Sequence, residues 1–409
     1  MKAKTTLALG IFLATFSCII FAGQTHFKAL SDLQIYALSH NPLLLKLQKE
    51  QSAAEASALA AGTWEAPSLG AKWAGSQSSF FDTRALYLAQ RIPFGNQLPD
   101  KHKVATLEAT QIAYTLIEEE NKVTENIAMT YLDWVLAERT WDTLRQYTEI
   151  LQAIADVAKT RYITGQGLAL DVLKAKTALA EIDIEKTVME TEVTTTLAKL
   201  RFLSGIAPEI PLQLRAVLPA EVYEITDIDA FVSPKIARSV PYMKAALAEQ
   251  AAEVALLIAQ NSALPTLQAK ARYGNENGRL DELGFEMEVA FPLAIFEHTQ
   301  IERQVEAAQR KLEAARFNTH QISREEYNLI DTLVRQLNTD AKTVKTYRAT
   351  ILPNTKLIVS NALAAYKTGR LSYIEIQQTL KDTLETELKY LENHQSEQKR
   401  NRRHHHPIG

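Results

Sequence analysis

Two segments of the chain carry one pattern: RYITGQGLALDVLKAK at residues 161–176 and AYKTGRLSYIEIQQTL at residues 365–380. In each segment a tyrosine lies three residues before a glycine, and an acidic residue lies six residues after it. The shared positions are Tyr162, Gly165 and Asp171 in the first segment and Tyr366, Gly369 and Glu375 in the second. Each glycine separates two long tracts of helix-forming residues. Since glycine readily adopts the left-handed conformation that ends a helix, each segment is predicted to be the turn of a helical hairpin.

The paired turns are one part of an internal duplication. Four landmarks recur at offsets of 199, 198, 199 and 204 residues: Pro42, Pro67, Pro93 and Gly165 return as Pro241, Pro265, Pro292 and Gly369. A nearly constant offset over several landmarks indicates a repeat. The predicted repeats are residues 23–210 and 211–398. Each has the order helix, strand, strand, long helix, glycine turn, long helix.

The helix before the first turn is predicted to be unusually long. No glycine or proline lies between residues 100 and 164. A helix over about 60 residues spans roughly 90 Å and needs partners along its length, as in a coiled coil or a barrel of helices. The second half differs at Pro353, where the first half has Glu149. A proline inside a helix predicts a break or a kink.

Two strand pairs are predicted at about residues 67–92 and 265–291, and the second pair shows the clearer alternation. Its apolar residues share one face, while the opposite face carries charges at Lys270, Arg272, Glu286 and Glu288. One such hairpin alone suits a half-buried soluble sheet, but two at matching repeat positions favour membrane strands. Four strands cannot close a barrel, so two or three chains would have to share one, and the charged residues would line its lumen.

The first 22 residues resemble a secretory signal, with Lys2 and Lys4 before an apolar stretch that ends at Ala22. An uncleaved anchor is the alternative. Cys18, the only cysteine, leaves with the signal or carries a lipid. No later stretch is apolar enough for a transmembrane helix. The net charge of -3 does not point to nucleic acid.

The sequence contains no phosphate-binding loop, serine elbow or metal-ligand spacing, so no enzyme activity, cofactor or metal site is predicted. The basic end of the chain, residues 399–409 with His404, His405 and His406, is expected to be a disordered polar tail, although it could bind a divalent metal weakly. A periplasmic coiled-coil scaffold or adaptor is an alternative function of a different class.

In order and spacing, these motifs resemble the outer-membrane factor family of TolC-like outer membrane efflux proteins over about residues 30–398. The matching segments are ALSHNP at 37–42, RYITG at 161–165 with DVL at 171–173, LRFLSG at 200–205 and AYKTG at 365–369. The resemblance implies a mainly α fold with a small β part. Three chains would form a periplasmic α-barrel and share a 12-stranded outer-membrane β-barrel, with four strands from each chain.

The same resemblance implies a passive efflux duct that works with a periplasmic adaptor and an inner-membrane transporter, most often of the RND type. Its substrates would be metal ions or small toxic compounds, and an alternative within the family is type I protein secretion. The stretch RIPFGNQLP at 91–99 is similar to the CzcC-like metal-resistance branch.

The resemblance also places both turns at the periplasmic mouth. The gate residues implied are Glu375, Tyr366, Arg370, Gln378 and Asp171; the tips that meet the adaptor are Thr164, Gly165, Thr368 and Gly369. Gln378 stands where the family often has a second acid, and Leu371 stands where it often has a basic residue. The alternative for Asp171 and Glu375 is that each only caps the first turn of a helix.

Overall fold

A computed structural model of the protein describes residues 27–76, 79–93, 95–218, 222, 224–262, 264–276, 279–290 and 294–405. The predicted signal with Cys18, and residues 406–409, lie outside this range. The helices are α1 (Leu30–His40), α2 (Pro42–Ala61), α3 (Gln97–Ile163), α4 (Ala169–Ser204), α5 (Ile228–Ile236), α6 (Val240–Asn261), α7 (Ala294–Thr346), α8 (Leu352–Lys367) and α9 (Tyr373–His405). The strands are β1 (Ser68–Ser76), β2 (Ser79–Ile92), β3 (Thr266–Glu276) and β4 (Arg279–Ala290).

The predicted element order is found in both halves, and equivalent elements start in equivalent ways. The Asn41 side chain accepts a hydrogen bond from the backbone N–H of Leu43, and Pro42 occupies the first turn of α2. In the second half Ser239 caps α6, again with a proline in the first turn. Proline suits this position because the first turn of a helix leaves its N–H groups without helical partners.

The helix α3 is the central element, with 67 residues and a length of roughly 100 Å at the usual rise per residue. It packs against α4 along the first hairpin and against α9 of the second hairpin. Two buried clusters hold these helices together. One joins α1, α3 and α4 around Leu33, Leu132 and Leu200, and the other joins both hairpins near their turns around Ile182 and Tyr366.

The four strands form one antiparallel sheet in the order β1-β2-β3-β4. Each predicted hairpin is present. The pairing of β2 with β3, in which Leu88 lies opposite Ala271, joins the two halves of the chain. Within one chain the outer edges of β1 and β4 have no strand partner among the described residues.

The expected break at Pro353 is replaced by a local change of helix type. A π turn at Tyr347–Ile351 precedes Pro353, which lies in the first turn of α8, and the helical path continues to the second tip. Before the π turn, the buried residues Ile127, Tyr131 and Trp134 have buried counterparts at an offset of 203: Ile330, Val334 and Leu337. After it, the glycines of the turns are 204 residues apart. The π turn therefore accommodates one inserted residue, as π-bulges commonly do.

The expectation of a disordered tail from residue 399 is wrong for residues 399–405, because α9 continues to His405. Lys399 pairs with Asp133 at 2.6 Å, and Arg403 pairs with Glu125 at 2.9 Å, both on α3. Arg400 pairs with Asp340 on α7. The run looked like a solvated tail by composition, but acidic residues distant in sequence neutralise it.

We predict that Arg400→Ala lowers the midpoint of thermal unfolding, with a loss of about 1 kcal/mol. Burial raises the pKa of Asp340, and Arg400 opposes that rise, so removal of the guanidinium leaves a poorly solvated carboxylate. Calorimetry of the purified protein measures the effect. Arg310→Ala is the control, since Arg310 pairs with Glu313 on an exposed helix face. Equal midpoints for the two variants would show that the pair with Asp340 does not anchor α9.

Candidate functional site

The two hairpin turns have the same backbone geometry. Gly165 has φ of 72° and Gly369 has φ of 74°, both in the left-handed region that favours glycine. One residue further on, the N–H of Gln166 donates to the Arg161 carbonyl at 2.7 Å. In the second turn the N–H of Arg370 donates to the carbonyl of Ala365 at 2.9 Å. These bonds satisfy carbonyls that the helix ends would otherwise leave unpaired.

The four residues predicted to meet an adaptor, Thr164, Gly165, Thr368 and Gly369, are all exposed in these turns. Both threonine hydroxyls donate back to helix carbonyls, Thr164 to Thr160 at 3.1 Å and Thr368 to Ala364 at 3.2 Å. These bonds satisfy helix-end carbonyls with the threonine hydroxyls.

Glu375 forms a reciprocal capping box with Ser372 at the start of α9. Its Oε2 accepts from the Ser372 N–H at 2.8 Å and from the Ser372 hydroxyl at 2.7 Å, while the N–H of Glu375 donates to that hydroxyl oxygen at 3.3 Å. The backbone N–H and the hydroxyl of Ser372 lower the pKa of Glu375. The carboxylate is exposed and fixes where the helix begins.

The other predicted gate residues take different positions around this tip. Arg370 is exposed in the turn itself. Gln378 is exposed one helical turn above Glu375, where its amide donates to Asp382 at 2.7 Å. Asp171 lies in the first turn of α4, partly buried. The predicted gate set is therefore divided between the second tip and the start of α4.

Tyr366 belongs to the core between the hairpins rather than to an open mouth. It is 1% exposed and contacts the Tyr373 ring edge-on, with ring centroids 6.3 Å apart. Burial raises the pKa of Tyr366, an effect that the Arg161 charge opposes and the Asp171 charge reinforces. Burial raises the pKa of Tyr373 to about 12. Both hydroxyls therefore stay protonated at neutral pH.

Arg161, which the sequence analysis did not single out, joins the two tips of the chain. Its guanidinium carbon lies 5.3 Å from the centroid of the Tyr366 ring. One guanidinium nitrogen donates to the Tyr366 carbonyl and another to the Gln166 carbonyl, each at 3.4 Å. The residue stands in the quoted stretch, but an arginine in the last turn of a helix usually only complements the helix dipole. Its partner 205 residues away could not be inferred from spacing.

The sheet has one charged and one apolar face. The Lys270 ammonium pairs with Glu288, and the Arg272 guanidinium pairs with Glu286 at 3.3 Å. The four predicted lumen residues thus lie together on β3 and β4. On this same face the glycines Gly70 and Gly284 make room for larger side chains: an added Cβ would collide with the Tyr87 ring or approach the Arg272 guanidinium.

The opposite face of the sheet is an apolar surface open to its surroundings. Leu69 is 77% exposed and Phe285 is 78% exposed. Its large members are Leu69, Trp73, Leu86, Leu88, Tyr273, Leu283, Phe285, Met287 and Val289. A contiguous apolar face of this size marks contact with lipid or with another protein.

Among the described residues no three side chains of the His, Cys, Asp and Glu types come together as metal ligands. In the same part of the chain, every helix falls short of the length or apolarity needed to cross a membrane.

Strands that alternate between an apolar face and a charged face are typical of outer-membrane β-barrels. Residues 36–206 match the family model described as Outer membrane efflux protein. The matched segment corresponds to the first repeat. The family is one of channel proteins of the outer membrane, which confirms the predicted resemblance and location.

Solved structures share this fold over nearly the whole chain. A crystal structure of CusC has a TM-score of 0.79 at 15% identity, covering 96% of each chain. A membrane protein from Pseudomonas aeruginosa has a TM-score of 0.78 at 15% identity, and the match covers 94% of this chain and 91% of that one. The open state of the MtrE outer membrane channel from Neisseria gonorrhoeae has a TM-score of 0.75 at 12% identity, and the match covers 93% of this chain and 88% of that one. No curated protein sequence matches the chain.

We predict that Arg161→Gln loosens the contact between the tips. Loss of a partly exposed cation–π contact of about 0.5–1 kcal/mol increases local opening about two- to five-fold. The rate of hydrogen exchange at the amides of Gly369 and Arg370 measures this opening. Arg145→Gln is the control, because Arg145 stacks on Trp141 of the same helix, away from the tips. Unchanged exchange in Arg161→Gln would mean that packing around Tyr366 alone holds the tips together.

Proposed function

We propose that this chain is one third of a trimeric outer-membrane channel. The observation that carries the proposal is the sheet: four strands with two unlike faces and two outer edges that lack strand partners in the described chain. In lipid each edge leaves backbone groups unpaired, so β4 of one chain would pair with β1 of the next. Three chains give 12 strands, which is wide enough for a water-filled duct, whereas eight strands are filled by side chains.

The channel would be a passive exit duct of a tripartite efflux system, with no catalytic step of its own. The exposed tips, Thr164, Gly165, Thr368 and Gly369, would dock on a periplasmic adaptor, which links the duct to an inner-membrane transporter. An RND transporter and metal ions or small toxic compounds are the partner and cargo that the sequence resemblance supports. Outer-membrane lipid would cover the apolar face of the sheet, and no nucleic-acid partner is involved.

The periplasmic mouth would carry one Glu375 from each chain. The capping box with Ser372 holds this carboxylate at the tip through Oε2. Three such groups close together repel one another and attract cations. Arg370 is exposed in the same turn and would balance part of this charge.

We predict that the charged face of the sheet is open to water and that the apolar face is not. Cysteines at Lys270 and Glu286 should react with a small, membrane-impermeant thiol reagent in intact channels, while cysteines at Phe285 and Met287 should stay unlabelled. A lysine or arginine turned to the lipid midplane would cost about 2–4 kcal/mol, which favours this orientation. The four variants are matched, since they occupy alternating positions of β3 and β4.

The reverse labelling pattern would contradict the assigned faces. Recovery of the protein in the soluble periplasmic fraction, with no channel activity in lipid bilayers, would instead support the alternative of a coiled-coil scaffold or adaptor.

We predict that Glu375→Gln channels keep the conductance of the native channel but lose cation selectivity and block by divalent cations. Glutamine preserves a capping-box acceptor for Ser372 and removes the charge, so it separates the two roles of Glu375. Single-channel recording in planar bilayers measures both properties. Glu385→Gln is a control on the same helix. Retention of selectivity by Glu375→Gln would leave Glu375 with the capping role alone.

The pH dependence of this charge follows from the lowered pKa of Glu375. A group whose pKa is lowered on folding stabilises the folded tip above its ordinary pKa, and loses that effect as the pH falls through the lowered value. In the proposed ring the neighbouring carboxylates would oppose this lowering, because nearby like charges raise the pKa of a carboxyl group. Cation selectivity should therefore be lost as acidification protonates Glu375, which single-channel recording at decreasing pH measures.

A further inference from the structure

We propose that Tyr162 of each chain packs against the second tip of a neighbouring copy, beside Ala365 and Glu375 of that copy. The inference rests on the proposed trimer and identifies a contact at its subunit boundary. It starts from a difference between two equivalent residues: Tyr366 is 1% exposed, whereas Tyr162 is 52% exposed.

The two tyrosines occupy the same position of the same turn. Each lies three residues before a left-handed glycine, and in each turn the glycine N–H donates to the tyrosine carbonyl at 3.1 Å. The backbone therefore presents both side chains alike. The difference in exposure arises from what lies next to each: the first tip covers Tyr366, whereas about half of the Tyr162 side chain is left exposed.

The neighbours of Tyr366 show what Tyr162 lacks. The Arg161 guanidinium lies over the Tyr366 ring, and the Asp171 charge acts on its hydroxyl. At the offset of 204 residues that relates the turns, Arg161 corresponds to Ala365 and Asp171 corresponds to Glu375. In a ring of alternating first and second tips, the surface beside Tyr162 is therefore the second tip of another copy. Ala365 would lie under the ring and Glu375 near the hydroxyl.

The chemistry of that surface suits a tyrosine. Both bonds from Ser372 end on Oε2 of Glu375, so Oε1 is available to accept from a phenol of the neighbouring chain. Ile163 and Leu168, also exposed at the first tip, would be covered at the same boundary. The alanine at position 365 provides space but no guanidinium. The contact between chains therefore lacks the cation–π interaction that joins the two tips within one chain.

Disulfide trapping tests the contact. The Tyr162→Cys/Glu375→Cys double variant should give covalent dimers and trimers on non-reducing gels after mild oxidation. The matched variant Tyr366→Cys/Asp171→Cys should oxidise within one chain and run as a monomer. Each single variant gives the background, including any reaction of Cys18. A five-fold or greater excess of cross-linked species in the first double variant over its two single variants supports the proposal.

A second measurement follows reactivity without requiring disulfide geometry. A lone cysteine at position 162 should react with maleimide at least five-fold more slowly in the native trimer than after denaturation, relative to a lone cysteine at the exposed Thr164. Native trimers that show neither cross-linking nor protection would overturn this inference and leave the channel proposal intact. The absence of any trimer in native mass spectrometry would overturn both.

Discussion

The unpaired edges of the four-stranded sheet are the constraint on which the rest of the molecule depends. In the proposed barrel its charged face would meet water and its apolar face would meet lipid. A sheet in lipid must also close, because backbone N–H and C=O groups cannot remain without partners there. Among the described residues of one chain, the outer edges of β1 and β4 have no strand partner. The proposed trimer satisfies both edges in every chain and gives the barrel a lumen.

The arrangement of the helices follows from that of the strands. β2 leads into α3 and β4 leads into α7. In the proposed trimer, three sheets in a ring would therefore carry six helical hairpins in a second ring. The duplication makes these hairpins nearly equivalent and the chain boundaries make them unequal. Arg161 joins the two tips of one chain, and its counterpart at the proposed boundary is Ala365. The π turn accommodates one inserted residue in the second half. Buried positions on either side of it therefore stay aligned with those of the first half.

Much of the fold could be predicted because it depends on short-range sequence patterns. Strand alternation, the helix tract before Gly165 and the paired turns all repeat at a nearly fixed offset. The failures involve partners that are distant in sequence. The basic run after residue 398 is helical because acids on α3 and α7 neutralise it, and Arg161 matters because Tyr366 lies beneath it. The sequence around Glu375 is compatible with two roles, a helix cap and a mouth residue. The serine three residues earlier forms a capping box with it whether or not the carboxylate also lines a mouth.

The central claim is that closure of the sheet requires three chains. Native mass spectrometry of the particle extracted from outer membranes with a mild detergent measures the number of chains directly. We predict three copies of the chain in one particle that also conducts ions in planar bilayers. A particle of two copies would contradict the account, because eight strands form a barrel filled by side chains, and a stable single copy would show that the sheet edges need no partner.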